Sequence, residues 1–157
     1  MTDGTDAISG ATVVLTDSDN EDTSKTTDSD GECTFDNVDP GTYTLTCSKS
    51  SYTTETQTIV VVGDATIDVV LTPTRTISFT VQDSQDTPES IQGATVTIDG
   101  DTEHPKTTGS SGGCTATLAD GEHSIVVAAE GYTSKTETIT TDSTHASFTI
   151  SLAAASP

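Results

Sequence analysis

The chain has 157 residues and a formal net charge of −20, from 25 acidic and 5 basic side chains; 31% of residues are hydrophobic, 4% aromatic, and none is tryptophan. With no basic patch to displace counterions, electrostatic binding of nucleic acid is excluded and anionic membrane surfaces are disfavoured. No run approaches the roughly 18 apolar residues that span a bilayer, so no membrane insertion is expected.

Any core is small and aliphatic, in one large sandwich or two small domains. Thirty-five threonines and 18 serines make up a third of the chain. Threonine suits a pleated surface, and the regular alternation of apolar residues excludes continuous disorder. The acidity is spread along the whole chain, with 17 aspartates to 8 glutamates. Such a chain repels itself at low salt, whereas at about 1 M salt the Debye length falls to roughly 3 Å and the repulsion is largely screened. An Asp-rich, Lys-poor, Thr-rich composition resembles that of proteins from extreme halophiles.

In chain order, residues 1–10 lack the basic and apolar regions of a secretory signal. The chain is therefore expected to be used without secretion, or to be a mature or excised fragment. Strands are predicted over residues 12–15, 33–35, 42–47, 55–62 and 66–71 from period-two alternation. The stretch 27–49 reads as a hairpin: Cys33, Phe35 and Val38 alternate before the turn, and Tyr43, Leu45 and Cys47 after it. In the turn Asp39-Pro40-Gly41, Pro40 pre-sets φ and Gly41 accepts positive φ. Thr72-Pro73-Thr74 reads as a linker, because Pro73 interrupts a strand. Further strands are predicted over 76–82, 95–98, 114–118, 124–128, 134–140 and 147–152.

The second half repeats the first at an offset of 80 to 83 residues. Ile8-Ser9-Gly10-Ala11-Thr12-Val13 returns as Ile91-Gln92-Gly93-Ala94-Thr95-Val96, and Gly31-Glu32-Cys33-Thr34 as Gly112-Gly113-Cys114-Thr115. Tyr43, Leu45 and Cys47 return as His123, Ile125 and Val127; Ser51-Tyr52-Thr53 as Gly131-Tyr132-Thr133; and Ile67, Val69 and Leu71 as Phe148, Ile150 and Leu152. The fold expected is all-β: two tandem antiparallel β-sandwiches, over residues 1–73 and 75–157. Unit two opens with an extra strand, Ile77-Ser78-Phe79-Thr80-Val81, where unit one has only the short polar run 1–6. Unit one is therefore expected to lack its first strand and to expose a sheet edge. Such an edge invites a strand from a neighbouring subunit or a host protein, unless the acidic loop or charge repulsion guards it.

The pattern of unit one, Gly10-Ala11-Thr12-Val13, Thr27-Asp28-Ser29-Asp30-Gly31, Phe35, Pro40-Gly41, Tyr43, Leu45 and Tyr52, resembles the carboxypeptidase regulatory-like family of prealbumin-type sandwiches. That family is related to PEGA domains and to the B-type repeats of collagen adhesins. Unit two keeps Gly93-Ala94-Thr95-Val96, Gly121, Ile125 and Gly131-Tyr132, but loses the Pro, the Phe and the first Tyr. The resemblance implies an immunoglobulin-like or prealbumin-like topology in a structural, adhesive or spacer module, including on tailed-virus particles, and no catalytic residues. The Lys–Asn cross-link of the adhesin relatives is not expected. Asn20 and Asn37 are the only asparagines, both in loops, and no lysine lies on a first strand.

Few residues suggest chemistry. Asp17, Asp19 and Asp22, with Asp28 and Asp30, gather carboxylate oxygens of the kind calcium or magnesium takes. The spacing lacks the EF-hand glycine and terminal glutamate, so a solvated acidic loop is the expectation and no metal is assigned. His104, His123 and His145, with Cys114, show no zinc-ligand spacing. Cys33 and Cys47 flank the turn and either bond across it or serve, like Cys114, as small buried hydrophobes. There is no Gly-x-Ser-x-Gly elbow and no phosphate-cradling loop, so no enzyme is expected. All six aromatics fall on inward or turn-sealing positions, which leaves none for a sugar platform and ranks a glycan-binding module low.

The function expected is therefore a structural protein on a virion surface, a capsid decoration, turret or tail-associated protein of a halophilic archaeal virus. Its partners would be other structural subunits, with homo-oligomers inside a larger assembly not excluded. The alternative is a fragment of a secreted prokaryotic surface adhesin.

Overall fold

The computed structural model describes residues 1–156, and among them there are strands, turns and bends but no helix. The chain divides into Met1–Thr74 and Arg75–Pro157. Unit one holds β1 (Thr12–Thr16), β2 (Asp22–Thr26), β3 (Gly41–Ser48) and β4 (Glu55–Val61). β5 (Thr74–Asp83) leads into unit two, followed by β6 (Thr95–Ile98), β7 (Lys106–Thr107), β8 (Gly113–Ala119), β9 (Gly121–Ala128), β10 (Lys135–Thr141) and β11 (Ser147–Leu152).

Unit two is a sandwich of two sheets, ordered β10-β9-β6-β7 and β11-β5-β8. The first is antiparallel throughout. The second contains a parallel pair, β5 with β11, which sets Phe79 opposite Phe148 and Val81 opposite Ile150. The two rings stack with centroids 6.2 Å apart. Period-two alternation sends Ile77, Phe79, Val81, Ala116, Ile150 and Leu152 into the core from one sheet, and Val96, Ile125, Val127 and Ile139 from the other.

Unit one has one four-stranded antiparallel sheet, β2-β1-β3-β4. Val13 faces Cys47 and Leu15 faces Leu45 across β1 and β3, as Val96 faces Val127 and Ile98 faces Ile125 in unit two. The second sheet is missing. Residues 33–35 and 66–71, both predicted as strands, belong to no sheet. Their counterparts β8 and β11 flank β5; in unit one the pairing at that place is the single bridge of Thr2 with Val70. Val69 and Leu71 still turn inward onto Ile8, Ala11, Val13 and Leu45.

The predicted hairpin over 27–49 is corrected by the same fact. Tyr43, Leu45 and Cys47 do lie on β3, but β3 pairs with β1 and β4. In unit two the corresponding strands, β8 and β9, lie in different sheets. Alternation on both sides of a turn is as compatible with a crossing between sheets as with a hairpin, and here it marks the crossing. Positive φ falls at Asn37 (56°) rather than at Gly41. Beside the hairpins β3–β4 and β9–β10, two more form, β1 with β2 and β6 with β7, whose second strands are too polar to show an apolar pattern.

Each unit is pinned by one buried threonine. The Thr27 hydroxyl donates to the Ile8 carbonyl at 2.6 Å and accepts from the Ala11 N–H at 2.9 Å. The Thr27 backbone bonds Ala11 and Gly10. Thr108 repeats all four bonds, its hydroxyl to the Ile91 carbonyl at 2.7 Å and from the Ala94 N–H at 2.9 Å. Both side chains are buried, so no water replaces the hydroxyl. Thr108→Val keeps the shape but orphans a donor and an acceptor. It is expected to destabilise unit two by about 1–3 kcal/mol in denaturant unfolding, with Thr108→Ser recovering most of the loss.

Candidate functional site

The start of the chain occupies the end of a strand position. The Met1 ammonium donates to the Gly31 carbonyl at 2.7 Å, as the Val81 N–H donates to Gly112 at 2.8 Å. The Met1 carbonyl accepts from Ile8, as Val81 accepts from Ile91. Thr2 bridges Ala7 and Val70, where Gln82 bridges Ser90 and pairs with Ser151. Asp3 caps the N–H groups of Thr5 and Asp6, as Asp83 caps those of Gln85 and Glu89. Met1-Thr2-Asp3 thus corresponds to Val81-Gln82-Asp83.

Glycine marks this entry in both units. A Cβ on Gly31 would lie 2.3 Å from the Met1 carbonyl, and one on Gly112 2.4 Å from that of Val81, with φ of +75° and +69°. Only glycine lets the two backbones approach so closely.

The segments equivalent to β8 and β11 are residues 33–36 and 66–71. Lys25 holds the first of them: its ammonium donates to the Thr34 carbonyl, lies 3.6 Å from an Asp36 carboxylate oxygen and sits 5.6 Å from the Phe35 ring centroid. Phe35 stands where unit two has Ala116 and packs against the unit-one core. Among the described residues, the large apolar side chains left exposed are Val60 (67%), Val62 (85%), Ile67 (43%) and Val70 (56%), all in unit one. By the repeat, Val60, Val62 and Val70 stand where unit two has Thr140, Asp142 and Ser151.

The predicted chemical candidates have other occupations. Asp17 accepts from the N–H groups of Asp19 and Glu21, and Asp28 from those of Asp30 and Glu32, so each closes its own turn. Asp22 accepts from the Thr16 hydroxyl across the β1–β2 hairpin. Among the described residues, no three ligating side chains gather as a metal site would require. The three cysteines are free thiols, with burial raising the pKa of each.

Each histidine pairs with its own aspartate: His104 with Asp101, His123 with Asp99 and His145 with Asp142. Around His145 the Thr144 hydroxyl and the Asp142 carboxylate both meet Nδ1. A nucleophile relay needs the two ring nitrogens to face different partners, so this trio is turn capping. Hydrogen bonds from the Thr144 and His145 side chains hold Asp142 well below the usual carboxylate range.

His123 takes over the task of Tyr43. The Tyr43 hydroxyl donates to the Asp39 carbonyl at 2.9 Å, and Nε2 of His123 lies 2.8 Å from the carbonyl of Ala119. Its Nδ1 lies 2.7 Å from Asp99, so both ring nitrogens face acceptors and the imidazolium satisfies both. Arg75, at the start of β5, meets the Asp120 carboxylate with two bonds of 2.6 and 3.0 Å. Sequence reading missed the Lys25 clamp, the threonine pins and the His123–Asp99 pair. Aligning the repeats exposes the first two, because Lys25 aligns with Lys106 and Thr27 with Thr108.

Fold and site together define a tandem of small prealbumin-like β modules whose side chains maintain turns and cores. The family matches agree: residues 2–72 match the carboxypeptidase regulatory-like domain, and residues 90–155 match the PEGA domain. No curated protein matches the chain. Among solved structures it is similar to the TIE protein of Bacillus anthracis (15% identity, TM-score 0.45), over 98% of this chain and 32% of that one. It thus spans about a third of that protein's length. It is also similar to a minor pilin of Streptococcus agalactiae (16% identity, TM-score 0.46; 97% of this chain, 86% of that one) and to a streptococcal ancillary pilin (19%, 0.45; 94% and 58%).

The His123 pair has a measurable consequence. Burial opposes protonation, but the bonds to Asp99 and to the Ala119 carbonyl outweigh it and raise the His123 pKa above 6.5. A raised folded-state pKa stabilises fully below the unfolded value, and the contribution is lost as pH rises through the folded one. The unit-two unfolding midpoint is expected to fall as pH rises from about 6 to 8. Asp99→Asn should flatten the slope, and an unchanged slope would refute the assignment.

Proposed function

We propose that the chain is a non-enzymatic structural module that works by binding other protein subunits on the outside of a particle or cell. The observation that carries this reading is the difference between the repeats. Among the described residues, the large apolar side chains left exposed, Val60, Val62, Ile67 and Val70, all belong to unit one, and unit two has none. The histidines and the aspartates of the acidic turns support the same reading, since they serve in caps and pairs.

The setting we favour is the surface of a virion of a halophilic archaeal virus, as a decoration, turret or tail-associated protein. The charge of −20 over 157 residues favours a medium of concentrated salt. Immunogold labelling of intact particles and cell envelopes tests the setting. Gold on virions is the expected result, gold on envelopes favours a surface adhesin, and gold confined to the cell interior overturns the surface reading. Thermal unfolding tests the salt argument: the midpoint is expected to rise between about 0.05 M and about 2 M NaCl as the Debye length shortens. Equal midpoints would remove the high-salt setting.

A further inference from the structure

The loop that leads into β3 holds one peptide bond unlike any other in the chain. Of the five prolines only Pro40 follows an aspartate, Asp39. Both residues are exposed, and among the described residues nothing holds the Asp39 carboxylate. Asp36, three residues back, is by contrast 3.6 Å from the Lys25 ammonium. The carbonyl of the Asp39–Pro40 peptide is the one that accepts from the Tyr43 hydroxyl at 2.9 Å. Val38 before it and Tyr43 after it both pack against the unit-one core, so the core fixes this carbonyl from both sides.

Three parts of an intramolecular hydrolysis meet here. An aspartate carboxyl reaches its own backbone carbonyl carbon by closing a five-membered ring, with no diffusive search. The Tyr43 hydroxyl stands where negative charge develops as that carbonyl becomes an oxyanion. The proline nitrogen belongs to a tertiary amide, which takes a proton more readily than a secondary amide and so leaves more easily. Unit two supplies the contrast. The equivalent carbonyl belongs to Ala119, lies 2.8 Å from Nε2 of His123 and is followed by Asp120. There the donor is kept, while the carboxyl and the proline are absent.

We propose that Asp39–Pro40 is a self-cleavage site, at which acid splits the chain between β2 and β3 with Tyr43 as the oxyanion donor. A side-chain oxygen of Asp39 bonds to the Asp39 carbonyl carbon, and the carbon–nitrogen bond to Pro40 breaks. The electron pair stays on the Pro40 nitrogen, which takes the carboxyl proton and becomes a secondary amine. The cyclic anhydride left on Asp39 adds one water and opens to two carboxylic acids. One water is consumed, and nothing is oxidised or reduced. The two pieces stay together under native conditions, because β1 ahead of the cut ladders with β3 behind it, from Thr12–Ser48 to Thr16–Thr44.

The test incubates the full chain in about 2 M NaCl between about pH 5 and about pH 3, the range in which carboxyl groups take up protons. A matched sample is unfolded in guanidinium chloride at each pH, and denaturing electrophoresis and mass spectrometry read the products. Fragments 1–39 and 40–157 are expected, with masses that sum to the intact chain plus one water. The native chain should be cut at least about tenfold faster than the unfolded one, in which the Tyr43 hydroxyl is no longer held on the carbonyl. Tyr43→Phe removes the donor and should be cut in native buffer at the unfolded rate. Tyr43→His puts back the donor that unit two uses and should recover most of the rate. Asp39→Glu changes an exposed side chain, enlarges the ring that must close, and should abolish the cut at this bond. Equal rates in native and unfolded chain, an unchanged rate in Tyr43→Phe, no recovery in Tyr43→His, cleavage surviving Asp39→Glu, or cutting confined to other bonds would each overturn the proposal.

Discussion

A strand in the middle of a sheet carries two ladders, and both of its neighbours depend on it. In unit two that strand is β5, with β11 on one side and β8 on the other. It supplies three core residues that are almost fully buried, Ile77, Phe79 and Val81. In unit one Met1 and Thr2 sit at the last positions of the same strand, and residues 33–35 and 66–69 join no ladder. The other sheet of unit one is intact, because its four strands satisfy one another.

The two units are alike wherever a polar knot holds the backbone and differ wherever packing was free to change. Thr27 and Thr108 tie the Gly-Ala corner with the same four bonds, since a buried N–H and carbonyl need partners whatever surrounds them. Gly31 and Gly112 are fixed by close backbone approach. Tyr43 has become His123 without loss of the bond to the carbonyl four residues back, because an imidazole N–H reaches about as far as a phenol hydroxyl. That replacement adds a partner, Asp99, and so makes a structural contact sensitive to pH.

Most of the acidic side chains whose bonds are visible serve the local backbone. Asp3, Asp17, Asp28, Asp83, Asp101 and Asp142 each accept N–H groups of the turn that follows them. Aspartate does this better than glutamate, because its short side chain reaches back to the N–H groups two and three residues on. The excess of aspartate is thus partly turn chemistry, while the net charge it leaves governs solubility and choice of partner. The apolar exposure of unit one runs against that polar surface.

The sequence alone determined the all-β class, the duplication and most strands of the intact sheets. These follow from local periodicity, turn residues and self-similarity, which are properties of the chain before it folds. Strands 95–98 and 147–152 were legible to the residue because apolar alternation bounds them. β2 and β7 were invisible because they are exposed on every residue. Only the tertiary structure decided that the alternating run 33–35 joins no sheet, that β5 and β11 run parallel, and that 66–71 pairs only at Val70, with Thr2. Each of these depends on which strand lies alongside, and a ladder partner distant in sequence leaves no mark on the local pattern.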